Sequence, residues 1–378
     1  MKIAIICDVL GKANNGTVIA TINLINYLRD KGHTVYVVSP DKTKEGLGDY
    51  FTVPTLNLGA PLNRVLKNNG VALAKPDKKL LQSVIEKADI VHLQIPFMLS
   101  RSALKIALRL NKPITASFHC QAENFTSHIG AINIPFINHL VYKNFYRKVY
   151  RKVDAIHYPT EFIRQVFHQH TRCEIPYYVI SNGVNDDFFA EPPKREENEK
   201  FTIICAGRYS KEKAQAVLIR AVARSKYRDN IRVIFAGDGP MRKKLQRLSN
   251  KNNVECEYRF FSRSGLIDAF HGSDLYVHTA IIEIEAIACM EAIVCGLTAV
   301  ISDSERSATR FFAVGDRTLF RKNDAQDLCE KIEYFYENRD KIEEYRKKYE
   351  VRSRAFGLGD CMEQMEKMLT QTVEKKRK

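Results

Sequence analysis

Two carboxylates eight positions apart, Glu283 and Glu291, follow the apolar strand Asp274-Leu275-Tyr276-Val277-His278 and its exit Thr279-Ala280-Ile281-Ile282. The stretch between them, Ile284-Glu285-Ala286-Ile287-Ala288-Cys289-Met290, is largely apolar, and Cys295-Gly296 leads into the next strand, Thr298-Ala299-Val300-Ile301. An acid at a strand exit, with a second at the start of a short buried helix, suits a binding crevice, where carboxylates hold the hydroxyls of a sugar and a ribose. A second set precedes it. Gly207-Arg208-Tyr209-Ser210-Lys211-Glu212-Lys213 follows another strand and puts Arg208 and Lys213 in the loop before a helix. Cations at the carboxyl end of a parallel strand can grip a diphosphate and stabilise the charge that grows as it leaves. Taken alone the loop has a lesser alternative, a solvated basic turn. The two acids at another strand exit of the same half argue for a site. Paired carboxylates also serve glycoside hydrolysis, but the neighbouring cations favour a phosphate leaving group.

The elements that must position these residues alternate. Ile3–Cys7 reads as a strand and Val18–Lys31 as a helix, with Ile19, Ile22, Leu24, Ile25 and Leu28 at helical spacing. Gly32 ends it and Thr34–Val38 follows as a strand. Strands at Ile90–Leu93, Pro113–Phe118 and Ala155–Tyr158 alternate with helices at Lys78–Lys87 and Ser100–Leu110. After the polar connector Pro192–Lys200 the alternation restarts: strand Phe201–Ala206, helix Ala214–Ala223, strand Ile231–Ala236, and a helix from Met241. Short β-branched strands between helices predict parallel sheets covered on both faces. Near the start, Asn15-Gly16-Thr17 lies between a strand and a helix, where small residues let a phosphate or sugar approach backbone N–H groups; a plain connecting loop is the equal alternative.

With 378 residues the chain exceeds one ordinary core and suits two domains of roughly 150–200 residues. No run approaches the ~18 apolar residues of a membrane span, and Met1–Asp8 reads as a core strand, not a signal peptide. The nine cysteines contain no Cys-x-x-Cys pair. They read as buried thiols of a reducing compartment, with no disulfide framework and no zinc. The net charge of +15 implies an anionic partner. Without a zinc finger, a single-stranded RNA signature or an arginine-rich tail, nucleic acid is not expected. The cations concentrate in Tyr142–Lys152, where Lys143, Arg147, Lys148, Arg151 and Lys152 share a helix with aromatics. Such a helix either packs on a sheet or lies at a lipid interface, its aromatics in the headgroup layer and its cations against anionic lipid.

Taken together, Gly207-Arg208 through Lys213, Gly237-Asp238-Gly239-Pro240, Glu283 and Glu291 with Ala292 and Cys295-Gly296, and Asn182-Gly183-Val184 resemble the retaining GT-B glycosyltransferases of family 4 over nearly the whole chain. The look is that of the bacterial diacylglycerol-glycosylating members. The resemblance implies an α/β GT-B fold: two Rossmann-like parallel-sheet domains facing each other across a cleft. The expected division is 1–188 for the acceptor, 189–355 for the nucleotide-sugar donor, and a C-terminal helix over 356–378 packing back on the first domain. It implies that Arg208 and Lys213 bind the donor phosphates, Glu291 the ribose, and Glu283 the transferred sugar. Gly16, Gly207 and Ile284 border the donor, and His119 reaches the sugar from the first domain. The family's Gly-Phe-Gly-like turn after the first acid is replaced here by Ile284-Glu285-Ala286, and Asn15 stands where the family has a first glycine. Arg306 and Arg310 follow the last donor-side strand, as further phosphate ligands or as surface.

The expected reaction moves a hexose, with glucose and a UDP carrier favoured, to a lipid such as diacylglycerol, with net retention. The enzyme is expected to be cytoplasmic and peripheral on the inner face of the cell membrane. No cofactor or metal is expected, since Arg208 and Lys213 already supply the neutralising charge. The alternatives are synthesis of a polysaccharide or polyprenyl-linked oligosaccharide, a nucleotide-sugar epimerase, and a non-catalytic sugar-nucleotide-binding protein.

Overall fold

The computed structural model describes residues 1–10, 16–57, 59, 73–127, 134–190 and 199–378. Gly11–Asn15 of the first loop and most of the connector, 191–198, lie outside the described residues. The chain forms two compact units, one of Met1–Asn182 with Gly359–Lys378 and the other of Gly183–Leu358.

The first unit holds a parallel sheet of β1 (Lys2–Ile6), β2 (Thr34–Ser39), β3 (Tyr50–Thr52), β4 (Ile90–Leu93), β5 (Ile114–Ser117), β6 (Ala155–Tyr158) and β7 (Tyr177–Val179). Their order is β3-β2-β1-β4-β5-β6-β7, every neighbouring pair parallel. β4, β5 and β6 are buried at every residue, because helices cover both faces. The second unit repeats the plan with β8 (Phe201–Ala206), β9 (Ile231–Ala236), β10 (Cys256–Arg259), β11 (Leu275–His278), β12 (Ala299–Asp303) and β13 (Leu319–Arg321). Its order, β10-β9-β8-β11-β12-β13, is the doubly wound one, reversing direction between β8 and β11. In doubly wound sheets such a reversal is the general place for a ligand crevice, at the carboxyl ends of the strands, here the exits of β8 and β11.

The division falls at Asn182/Gly183, ahead of the expected 188 and of the proline-led connector. Backbone pairing explains the shift: Val184 N–H donates to Phe356 O (2.7 Å) and Leu358 N–H to Val184 O (3.0 Å). Cys295 Sγ then reaches Phe188 O, and Arg263 pairs with Asp187, which ties 183–188 to the second unit. The C-terminal helix Leu358–Arg377 buries Cys361, Met362, Met365, Met368, Leu369 and Val373, an apolar stripe at helical spacing. Its polar side bonds the first unit through Glu366–His33 (2.8 Å), Gln371–Tyr178 (2.8 Å) and Lys376–Asp154 (2.9 Å).

In the basic-aromatic segment the aromatics follow the packed one of the two readings. It is a helix over Pro135–Lys148 followed by a short turn at Tyr150–Lys152, and Tyr142, Phe145 and Tyr150 point into the core. Tyr142 donates to Glu123 Oε2 (2.6 Å) and Tyr150 to Ser117 O (2.9 Å), and both rings pack on Phe118 and Phe167. These aromatics are therefore unavailable to a headgroup layer. The apolar groups that do reach solvent are Ile134, Phe136 and Leu140, with Phe136 69% exposed.

Candidate active site

β8 ends at Ala206 and β11 at His278, side by side, since Ile204 is in register with Tyr276. Their exit loops are laced together: Thr279 Oγ1 donates to Lys213 O (2.7 Å) and Ile281 N–H to Glu212 O (2.8 Å). The β8 loop also lies against the loop after β9. A Cβ on Gly237 would fall 2.1 Å from Gly207 O, and one on Gly239 2.5 Å from Tyr209 O, so both positions require glycine. Above Gly207 itself a Cβ would meet nothing within 4 Å, which leaves the backbone of that loop open to a ligand.

The lacing brings Lys213 Nζ into contact with Glu283 Oε1, seventy residues away in sequence. Glu283 is buried, and its backbone is fixed by a bridge to Ser307 and by Ala308 N–H donating to its carbonyl (2.9 Å). Burial pushes its carboxyl up, but the Lys213 charge and the His278 ring outweigh that and hold it at about 2. His278 Nε2 lies 3.3 Å from the same oxygen, longer than an ordinary N–H···O bond, while Nδ1 is 3.0 Å from the Tyr276 hydroxyl. Burial lowers the ring's affinity for a proton, against the pull of Glu283. The result is an ionised carboxylate with a lysine ammonium on one side and a neutral ring on the other.

Arg208 is partly buried, its affinity for a proton lowered by burial and restored in part by Glu212; its backbone carbonyl accepts from Gln215 Nε2 (2.7 Å). Glu291 lies in the second turn of the helix Ile287–Val294, not at its start. Burial pushes its carboxyl up to about 7, against the attraction of Arg263. The turn joining the two acids keeps Ile284 partly buried and Glu285 buried. Ala286 there is left-handed (φ 67°, ψ 72°), a conformation that glycine adopts freely and that costs alanine about 1–2 kcal/mol. Arg310 is paired with Asp303 at 2.8 Å, and Arg306 O accepts from Glu283 N–H (3.3 Å).

The remaining expected site residues belong to the first unit. Gly16 opens the helix Gly16–Asp30. His119 follows β5, its ring edge-on to His157 at 5.6 Å. His157 Nε2 donates to Ile180 O (2.7 Å), and Nδ1 is 2.8 Å from Ser117 Oγ, which is in turn 3.0 Å from His92 Nε2. Burial, with His157 and His92 close by, keeps the His119 ring well below the ordinary histidine range. Lys143, Arg147, Lys148, Arg151 and Lys152 line a depression of about 460 Å³ together with Leu140, and none of the five is in an ion pair among the described residues. His278 and Tyr276 were missing from the sequence-based set. The available signal was a histidine closing an otherwise apolar strand at its carboxyl end.

Residues 14–188 match the model of Glycosyltransferase Family 4, and residues 187–354 that of Glycosyl transferases group 1. Two α-monoglucosyldiacylglycerol synthases are similar to the chain along most of its length. The one from Streptococcus pneumoniae is 23% identical over 321 residues, 78% of this chain and 70% of that protein. The one from Acholeplasma laidlawii is 22% identical over 335 residues, 80% of each. Among solved structures, Anabaena Alr3699/HepE in complex with UDP-glucose superposes with a TM-score of 0.73, at 18% identity over 98% of this chain and 100% of that one, a likeness of fold.

Proposed function

The chain belongs to glycosyltransferase family 4, an enzyme acting with a nucleotide-sugar donor, and from that premise we propose that it moves glucose from UDP-glucose to a membrane lipid of the diacylglycerol type. The observation that carries the reading is the contact between Lys213 and Glu283 at the reversal point of the second sheet. A cation suited to a leaving diphosphate and an acid suited to a sugar hydroxyl stand one bond apart, as the two halves of a nucleotide sugar do. Arg208 and Lys213 neutralise the departing UDP, Glu283 orients the hexose, Glu291 accepts from the ribose, and the open backbone at Gly207 borders the phosphates. Two relatives named for a glucosyl-diacylglycerol product support the acceptor, as does the basic surface beside exposed Phe136 and Leu140.

The test crosses UDP-glucose, UDP-galactose, UDP-N-acetylglucosamine and GDP-mannose with diacylglycerol and polyprenyl acceptors. UDP release that needs both UDP-glucose and diacylglycerol, with an α-linked product, is expected. Turnover only with the polyprenyl acceptors would replace the lipid assignment, and nucleotide binding without turnover in any combination would replace catalysis by sugar-nucleotide binding. Two variants refine it. His119→Ala should leave UDP affinity within about threefold of the parent while slowing transfer roughly a hundredfold, if the histidine serves only the sugar. Parental transfer rates would remove it from the site.

Glu291 adds a pH signature. Only its ionised form accepts from both ribose hydroxyls, and in the free protein half the carboxyls carry a proton near pH 7. UDP affinity should therefore rise between pH 6 and pH 8, and fall towards tenfold per unit on the acid side. Calorimetry on the parent and on Glu291→Gln, whose affinity should be lower and should keep only the shallower dependence set by the UDP phosphate's own titration, checks the sign. A parent curve as shallow as the variant's would exclude the ribose contact.

A further inference from the structure

We propose that His278 is a positioning residue that takes over Glu283 as Lys213 turns to the donor diphosphate, keeping the acid ionised and aimed at the sugar through the transfer step. The inference rests on the donor-site reading above and goes beyond it by assigning a residue and a sequence of contacts. Three features of the site converge on it. Lys213 and His278 approach the same oxygen, Oε1 of Glu283. The lysine backbone is pinned by Thr279, so the ammonium can move only by swinging its four-carbon stem. The ring, 3% exposed at the end of a buried strand, cannot leave.

The ring's tautomer follows from its partners. A carboxylate oxygen accepts only, so Nε2 facing it at 3.3 Å carries the hydrogen, and Nδ1 accepts from the Tyr276 hydroxyl. Nε2–H thus faces the Glu283 oxygen at 3.3 Å, longer than an ordinary N–H···O bond, and has room to shorten by a few tenths of an ångström. With Lys213 in place, that bond is not needed. When the diphosphate draws the ammonium away, Glu283 would be left buried and alone, and a lone buried carboxylate takes up a proton and loses half its capacity to accept sugar hydroxyls. Closing the His278 bond prevents this. The hand-over needs no net proton transfer: the ring stays neutral and donates throughout.

Glutamine and asparagine separate this role from mere packing. His278→Gln can place an amide N–H where Nε2 was, whereas His278→Asn reaches only the Nδ1 position, keeping a partner for Tyr276 but nothing for Glu283. The expected result is a kcat for His278→Asn lower by about ten- to hundredfold, with UDP affinity unchanged, and recovery to within about threefold of the parent in His278→Gln. Thermal unfolding and far-UV dichroism of both variants confirm equal folding. Parental kcat in a folded His278→Asn, or equal losses in both variants, overturns the hand-over. Lys213→Ala, measured alongside, tells the two failures apart. If it weakens UDP while His278→Asn is inert, only the hand-over fails; if UDP affinity survives Lys213→Ala, the donor-site reading itself falls.

Discussion

In Lys213→Ala, kcat/KM for transfer is expected to fall by roughly 10²–10³, because a charge that meets the leaving diphosphate is gone. The substitution also strips a buried carboxylate of its counter-ion, and removing one partner of such a pair costs about 3–5 kcal/mol. The lower figure is the better guide here, since Lys213 is a quarter exposed and His278 remains. The two losses are separable. Glu283, held at about 2 in the folded chain against an ordinary 4.5, lends stability that is present above the unfolded value and fades as pH falls through the interval. In the alanine variant that contribution shrinks, so its deficit in Tm should be largest near neutral pH and narrow in acid. Adding Glu283→Gln should restore part of the Tm and none of the activity. Assays well below the variant's Tm that still give kcat/KM within threefold of the parent would remove Lys213 from the phosphate site.

The second large effect concerns the surface of the helix Pro135–Lys148. Replacing Lys143, Arg147, Lys148, Arg151 and Lys152 together by glutamine should abolish most binding to anionic vesicles, at up to ~1 kcal/mol for each cation brought near the bilayer. Four of these side chains are exposed and Lys143 partly so, hence the fold should tolerate the change. Binding by the parent should fall with salt as the surface charge is screened. UDP affinity should stay at the parental level. The inward aromatics sharpen the experiment: Phe136→Ser should weaken vesicle binding, whereas Tyr146, whose ring packs on Phe167, should contribute little. Sedimentation that is equal on neutral and anionic vesicles, or unmoved by the five substitutions, would leave a soluble acceptor as the better choice.

How far the sequence disclosed the fold depended on where a strand lies. Phe201–Ala206 and Ile231–Ala236 are legible to the residue, because strands buried on both faces are written as near-continuous apolar runs, broken here only by Thr202 and Arg232. The unannounced strands, Tyr50–Thr52, Tyr177–Val179, Cys256–Arg259 and Leu319–Arg321, are the four sheet edges. Edges are short and mix charge with apolar residues, as Cys-Glu-Tyr-Arg does, and so lack a period to detect. The same contrast holds in the site. Glu283 and Lys213 stood out as charges at the ends of apolar strands. Tyr276 and His278 were masked, since a lone histidine in a buried strand is most often a satisfied core residue. Tyr142 and Phe145, interleaved with cations, left packing and lipid contact both open in the sequence, and helical geometry decides for packing by turning them inward.

The return of the C-terminal helix to the first unit bears on how the molecule is made. Residues 183–358 form the second unit as one uninterrupted stretch, whereas the first is assembled from both ends of the chain. Vectorial synthesis therefore completes the later unit before the earlier one. Until Leu358–Arg377 is added, the strip that Met362, Met365, Met368 and Leu369 cover stays bare on a nascent chain, and Glu366–His33 must close across 333 residues. Loops of that length close late. A newly made chain thus passes through an interval in which a finished second unit is joined to a first unit still awaiting the helix Leu358–Arg377, and that interval is when it most needs protection from aggregation.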